Sequence, residues 1–168
     1  ARGRAGRGGL PGRAGRSGAQ AAAEPICAHH GAEEALAEAL SPTVPLPSGG
    51  RLLIHETPAL VAIDVDSGRT QGGSGERTAR LVNGEAAGAV IDAARGRRLG
   101  GAIVIDFLPL CDRRFRAELL ERLRAEAARD PAITGVDHIG VPRTLARLTR
   151  VRSGPSLRQL LDGDCPAC

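Results

Sequence analysis

Aromatic residues are almost missing from this 168-residue chain, which holds two Phe and no Tyr or Trp. A core must therefore be built from Ala, Val, Leu and Ile. Lysine is absent as well, so every basic side chain is an arginine. That favours bidentate contacts to phosphate, although richness in Arg, Ala and Gly equally fits a GC-rich genome. Methionine is missing even at position 1, which suggests a piece of a longer chain with further domains elsewhere. No apolar run approaches the roughly 20 residues of a membrane span. The basic N-terminus lacks the apolar segment of a signal peptide, so a cytoplasmic location is expected. Four cysteines, two of them in Cys165-x-x-Cys168, suit a metal site or free thiols better than a disulfide scaffold.

The net charge of +4 is unevenly placed. Arg2, Arg4, Arg7, Arg13 and Arg16 fall in the first 20 residues with no acid, leaving the remainder at −1. The basic balance therefore describes a tail, not the folded part. Residues 1–31 lack periodicity and are expected to form a disordered Arg/Gly/Ala-rich tail. Such a tail can track a nucleic-acid backbone, but without interleaved aromatics a translated GC-rich extension accounts for it as well. Cys27, His29 and His30 are read as part of that lead-in more than as metal ligands. A single folded domain is expected over 32–161, and 162–168 forms a short cysteine-bearing terminus.

Two apolar runs ending in aspartate organise the domain. Val61 to Asp66 and Gly100 to Phe107 are rich in β-branched residues and bounded by glycines, as buried strands are. Side chains alternate along a strand, so Asp64 and Asp66 share a face about 7 Å apart. Asp106 ends the second run. If the two strands are neighbours, three carboxylates meet at the carboxyl edge of the sheet, where open α/β sheets place ligands. Such a group repels itself unless a cation sits among it, and hard oxygen donors favour magnesium or manganese. The plainer alternative, that each aspartate caps the loop after it, stays open.

The rest of the chain supplies the frame. Ala32 to Leu40 has amphipathic helical spacing, and residues 41–50 form a Pro-broken connector. Arg51 to Glu56, with Thr57-Pro58 before the Asp64 strand, reads as a hairpin. Gln71 to Gly75 is a glycine loop without the Lys-Ser/Thr of a phosphate-binding loop. Asn83 is expected to cap a helix running to about Arg98, closing a β-α-β unit with the Asp106 strand. Asp112 to Arg129 predicts a helix striped by Phe115, Leu119, Leu123 and Ala127, with Cys111 as a small buried residue before it. Ile133 to Ile139 predicts a strand carrying a structural His138. Leu145 to Arg152 has no decisive period, and Pro155 to Leu161 suggests one helical turn. Arg143, Arg147, Arg150, Arg152 and Arg158 have no acid among them, which fits a solvated face or a phosphate-binding one.

Several separately spaced segments then carry a resemblance. Leu46-Pro47-Ser48-Gly49-Gly50, AIDVDSGR (62–69), NGEAA (83–87), LGGAIVIDF (99–107) and CPAC (165–168) occur in this order in the ribonuclease E/G family. The resemblance implies a mixed α/β sheet flanked by helices, the DNase I-like subdomain of that family's catalytic domain, over roughly 32–168. It implies a magnesium-dependent endoribonuclease that cuts single-stranded RNA and leaves a 5′-phosphate. Asp64 and Asp106 then match the catalytic metal ligands, and Asp66 stands where the family usually has Asn. Arg143, Arg147, Arg150 and Arg152 are expected to hold RNA. Cys165 and Cys168 match the zinc-link, in which two protomers share one zinc and form a homo-oligomer. One pair supplies only two of zinc's four ligands.

The family's S1 domain and 5′-end sensor are not matched, and Arg147 replaces an acidic residue of the family pattern. A non-catalytic RNA-binding or assembly remnant is therefore the competing function. A metal-dependent phosphatase or DNA nuclease is a third.

Overall fold

The computed structural model describes residues 31–68, 75–139 and 144–161. Helix α1 (Ala32–Leu40) leads into the short edge strand β1 (Thr43–Pro45) and the hairpin β2 (Arg51–Glu56) and β3 (Val61–Asp66). Helix α2 (Gly75–Gly96) crosses over to β4 (Gly101–Phe107), and α3 (Arg113–Ala127) follows. Strands β5 (Ile133–Ile139) and β6 (Thr144–Arg150) precede the single-turn α4 (Leu157–Leu161). The six strands form one mixed sheet in the order β1-β2-β3-β4-β6-β5. Only β3 and β4 run parallel; the other pairs are antiparallel.

Alternation along each strand decides which face is covered. Leu52 and Ile54, Val61, Ile63 and Val65, Ile103, Ile105 and Phe107, and Ala146 and Leu148 are buried with Ala79, Val82, Ala86, Val90, Leu119 and Leu123 of α2 and α3. The alternate residues are half-buried, as Leu53, Ala62, Val104 and Leu145 are, or exposed, as Asp64, Asp106 and Arg147 are. Among the described residues the sheet thus has helices on one face and an open surface on the other. Small Ala side chains let α2 lie close to the strands, which is how a core nearly without aromatics reaches close packing.

Three expectations need correction, and the period left open after Leu145 is decided. Helix α2 begins at Gly75, two turns before Asn83, because Ala79 and Val82 already continue the inward stripe. Asn83 is therefore no cap: it is 1% exposed, and its amide clamps Leu108 through both main-chain groups at 2.9 Å. The connector 41–50 contains β1, whose Pro45 is tolerated because the strand lies at the sheet edge. Cys111 is exposed, since it sits in the loop where Glu76 receives its N–H and that of Asp112. Leu145 to Arg150 is strand, because insertion between β4 and β5 satisfies its backbone on both sides. The expected cap on α3 does form, with Asp112 accepting from the Arg114 N–H at 2.7 Å.

Candidate functional site

Parallel pairing of β3 and β4 sets Asp64 opposite Asp106 in register. Neighbouring strands lie about 4.8 Å apart and partners in register point the same way. Both aspartates are exposed, and both line one cavity of about 280 Å³ with Val65, Phe107, Leu108, Pro109 and Thr144. Neither carboxylate has a hydrogen bond or ion pair among the described residues. Two adjacent negative charges without a counter-charge repel, a repulsion that a cation between them would relieve.

Asp66 does not join them. Its carboxylate accepts from Arg51 Nη2 at 2.6 Å and Nε at 2.9 Å, and from the Gly68 N–H at 2.9 Å. The Gly68 N–H and the Arg51 guanidinium hold its carboxyl below the usual carboxylate range. Gly68 has a φ of 59°, and a Cβ there would lie 2.4 Å from the Gly49 carbonyl oxygen. Only glycine allows that turn, so the close approach of the two loops fixes Asp66 where Arg51 reaches it. The expected convergence of three carboxylates is thus reduced to two. Among the described residues no group of three or more His, Cys, Asp or Glu is arranged to hold a metal.

Thr144 was not anticipated. It stands opposite Phe107 in register, is 4% exposed, and its buried Oγ1 has no hydrogen-bond partner among the described residues. A buried hydroxyl without a partner is costly, and this one borders the aspartate cavity. Thr144 has the strand parity of Ala146 and Leu148, so its side chain lies on the helix-covered face with Phe107 and not on the face that carries the two carboxylates. Nothing in the sequence singles out this threonine.

The arginines expected to act together are separated. Arg147 lies on the open face, opposite Val104, and pairs with Asp137 at 2.7 Å. Arg150 faces the other edge of the sheet, opposite Gly101, where it binds Asp130 at 2.8 Å and the Leu99 carbonyl at 2.7 Å. Both members of that pair are buried, which makes it structural. Burial pushes the Asp130 carboxyl up, but Arg150 and the Ala132 N–H outweigh it and bring it below its ordinary range. Arg152 donates to the Gly100 carbonyl at the same far edge. Arg150 and Arg152 are therefore removed from the aspartates by the length of β4. Arg143, Cys165 and Cys168 lie outside the described residues, as do Cys27, His29, His30 and most of the glycine loop. Arg51 stands opposite Asp66 on β2 and Arg147 opposite Val104 on β6, each one pleat from the carboxylate pair and held by its own acid.

A comparison with known proteins decides what this arrangement belongs to. The family model for the Ribonuclease E/G family matches residues 15–153. The chain belongs to the ribonuclease E/G family. It is 39% identical to Ribonuclease E of Nostoc sp. over 149 residues, covering 86% of this chain and 21% of that protein. It is 39% identical to Ribonuclease E of Escherichia coli over 145 residues, or 86% of this chain and 14% of the relative. Ribonuclease G of Escherichia coli is 32% identical over 146 residues, with 86% and 30% covered. The ribonuclease E/G chain described here thus corresponds to between 14% and 30% of those relatives. Among its described residues no helix is long and apolar enough to cross a membrane.

Proposed function

We propose that this ribonuclease E/G chain is a magnesium-dependent endoribonuclease core that cleaves single-stranded RNA in the cytoplasm, with Asp64 and Asp106 as the metal ligands. The observation that carries the proposal is their pairing in register on parallel strands, lining one cavity with neither carboxylate engaged by a described side chain. Hard carboxylate oxygens and room for several waters fit magnesium. When bound there, magnesium supplies Lewis-acid neutralisation at a phosphate and lowers the pKa of a water.

The chain's own residues do the rest. Asp64 and Asp106 hold the ion from two adjacent rigid strands, so its position is set by backbone pairing and not by a loop. Arg147 on one side and Arg51 on the other bring guanidiniums to the strand's backbone, where they favour phosphate over neutral ligands. Asp66, neutralised by Arg51, keeps a third full negative charge from repelling the RNA. A water that attacks phosphorus breaks the P–O3′ bond and gives one proton to the departing oxygen, so the upstream piece leaves with a 3′-hydroxyl and the downstream piece keeps the 5′-phosphate. A flexible single strand can present the in-line geometry, whereas a duplex holds it away.

The test is incubation of 5′-phosphorylated single-stranded RNA with the protein in magnesium or in EDTA. Cleavage should occur only with magnesium and should disappear in Asp106→Asn. Cleavage that survives Asp106→Asn contradicts the assignment. RNA binding that falls with salt while no strand is ever cut makes the chain a binding remnant instead.

A further inference from the structure

A second groove opens on the helical side of the molecule. It has a volume of about 430 Å³ and lies between α2 and α3, with Arg77, Arg80, Gly84, Phe115 and Arg122 in its walls. Arg80 is fixed: its guanidinium lies 3.5 Å from the Phe115 ring centroid and pairs with Glu118 at 3.3 Å. Glu85, also in the wall, is occupied by the Ser48 N–H at 3.0 Å and the Ser48 hydroxyl at 2.7 Å. The groove's two acids are therefore engaged. Arg77 and Arg122 are exposed and have no hydrogen-bond or ion-pair partner among the described residues. Gly84 leaves the floor open, since a Cβ there would stand 3.5 Å from Arg122 Nη1.

The groove shares a wall with the aspartate cavity. Leu108 and Pro109 line the cavity and Leu110 lines the groove. Asn83 lines the groove and holds Leu108 by two hydrogen bonds. The wall is thus anchored to α2 at Leu108. A polymer with regularly spaced negative charges, cut at the cavity, meets two unengaged guanidiniums on the far side of that wall.

We propose that the α2–α3 groove binds the backbone of the same single-stranded RNA, beyond the cleavage point, with Arg77 and Arg122 on its phosphates. This rests on the nuclease reading and adds to it a second contact region that only longer RNA reaches. Arg80, stacked and paired, shapes the groove between them. The arginines come from two different helices, so the site exists only in the folded domain.

The test is fluorescence anisotropy in EDTA, where no strand is cut, with labelled uridine oligomers of about 4 and about 16 nucleotides. The full chain is compared with the double variant Arg77→Gln/Arg122→Gln and with Arg124→Gln, whose guanidinium pairs with Glu121 outside the groove. The double variant should bind the long oligomer roughly tenfold more weakly, and its salt slope should flatten by about 1.4, about 0.7 for each lost phosphate contact. The short oligomer and Arg124→Gln should show less than about a twofold change. Unchanged affinity of the double variant for the long oligomer overturns the proposal, as does an equal loss in Arg124→Gln. A polyglutamate peptide that binds the chain as tightly as the long oligomer, and loses affinity in the double variant, assigns the groove to acidic protein segments and also overturns it. Groove-dependent binding with no cleavage in magnesium refutes the nuclease reading while leaving the groove's assignment to RNA intact.

Discussion

Replacing Asn83 by Leu removes the link between the core and the wall of the aspartate cavity. Asn83 is 1% exposed, and both of its amide atoms engage Leu108, one accepting from its N–H and one donating to its carbonyl. Leucine has nearly the same shape, so little cavity is created, and the loss falls on two main-chain groups left without partners. Each such group costs about 1–3 kcal/mol when buried. Leu108 is only half-buried, so water recovers part of this, and a total of about 2–4 kcal/mol is expected. That is a large share of the 5–15 kcal/mol, roughly, that stabilises an ordinary domain. Urea unfolding followed by circular dichroism reads it as a lower midpoint at unchanged slope. RNA cleavage under conditions where the variant is fully folded should also drop, because Leu108 lines the cavity. A destabilisation below about 1 kcal/mol would refute the reasoning, by showing that the Leu108 groups are satisfied without Asn83.

Arg150→Ala should cost about 3 kcal/mol or more in urea unfolding, since it strands the buried Asp130 carboxylate. It should leave RNA affinity unchanged, because Arg150 sits at the far end of β4. Asp66 and Asp130 both titrate below their unfolded values in the folded chain. The stability they contribute is therefore fully present above about pH 4 and is lost as pH falls through the lower folded values; a thermal-unfolding series in pH checks this, and Arg150→Ala should flatten it. Arg51→Ala should change stability by less than about 1 kcal/mol, as exposed pairs do. By freeing Asp66 it should tighten magnesium binding, measured by calorimetric titration.

Much of the site was legible because it is written in strand alternation. The runs ending at Asp64 and Asp106 are short, β-branched and glycine-bounded, and the helix between them predicts a parallel pair, which is what sets the carboxylates side by side. Asp66 shows where local reasoning stops. Its parity with Asp64 was readable, but its capture by Arg51 follows from the register of the β2–β3 hairpin, in which Arg51 and Asp66 are partners. Arg150 was misplaced for a related reason. A seven-residue run of alternating character fits either period until its neighbours are known, and as a strand it sends its last arginine to the opposite sheet edge. Asn83 resembled a cap because polar residues favour helix starts, yet the demand of the Leu108 backbone for a partner placed it in the core. Thr144, and the pairing of Arg77 with Arg122 across two helices, exist only in three dimensions.

The account stands on a divalent cation held between Asp64 and Asp106. Calorimetric titration of magnesium into the full chain and into Asp64→Asn and Asp106→Asn tests this without any RNA. Saturable one-site binding that disappears in both variants is the predicted result. Binding of equal strength in either variant would contradict it, because two neighbouring strand-end carboxylates would then not be the ligands.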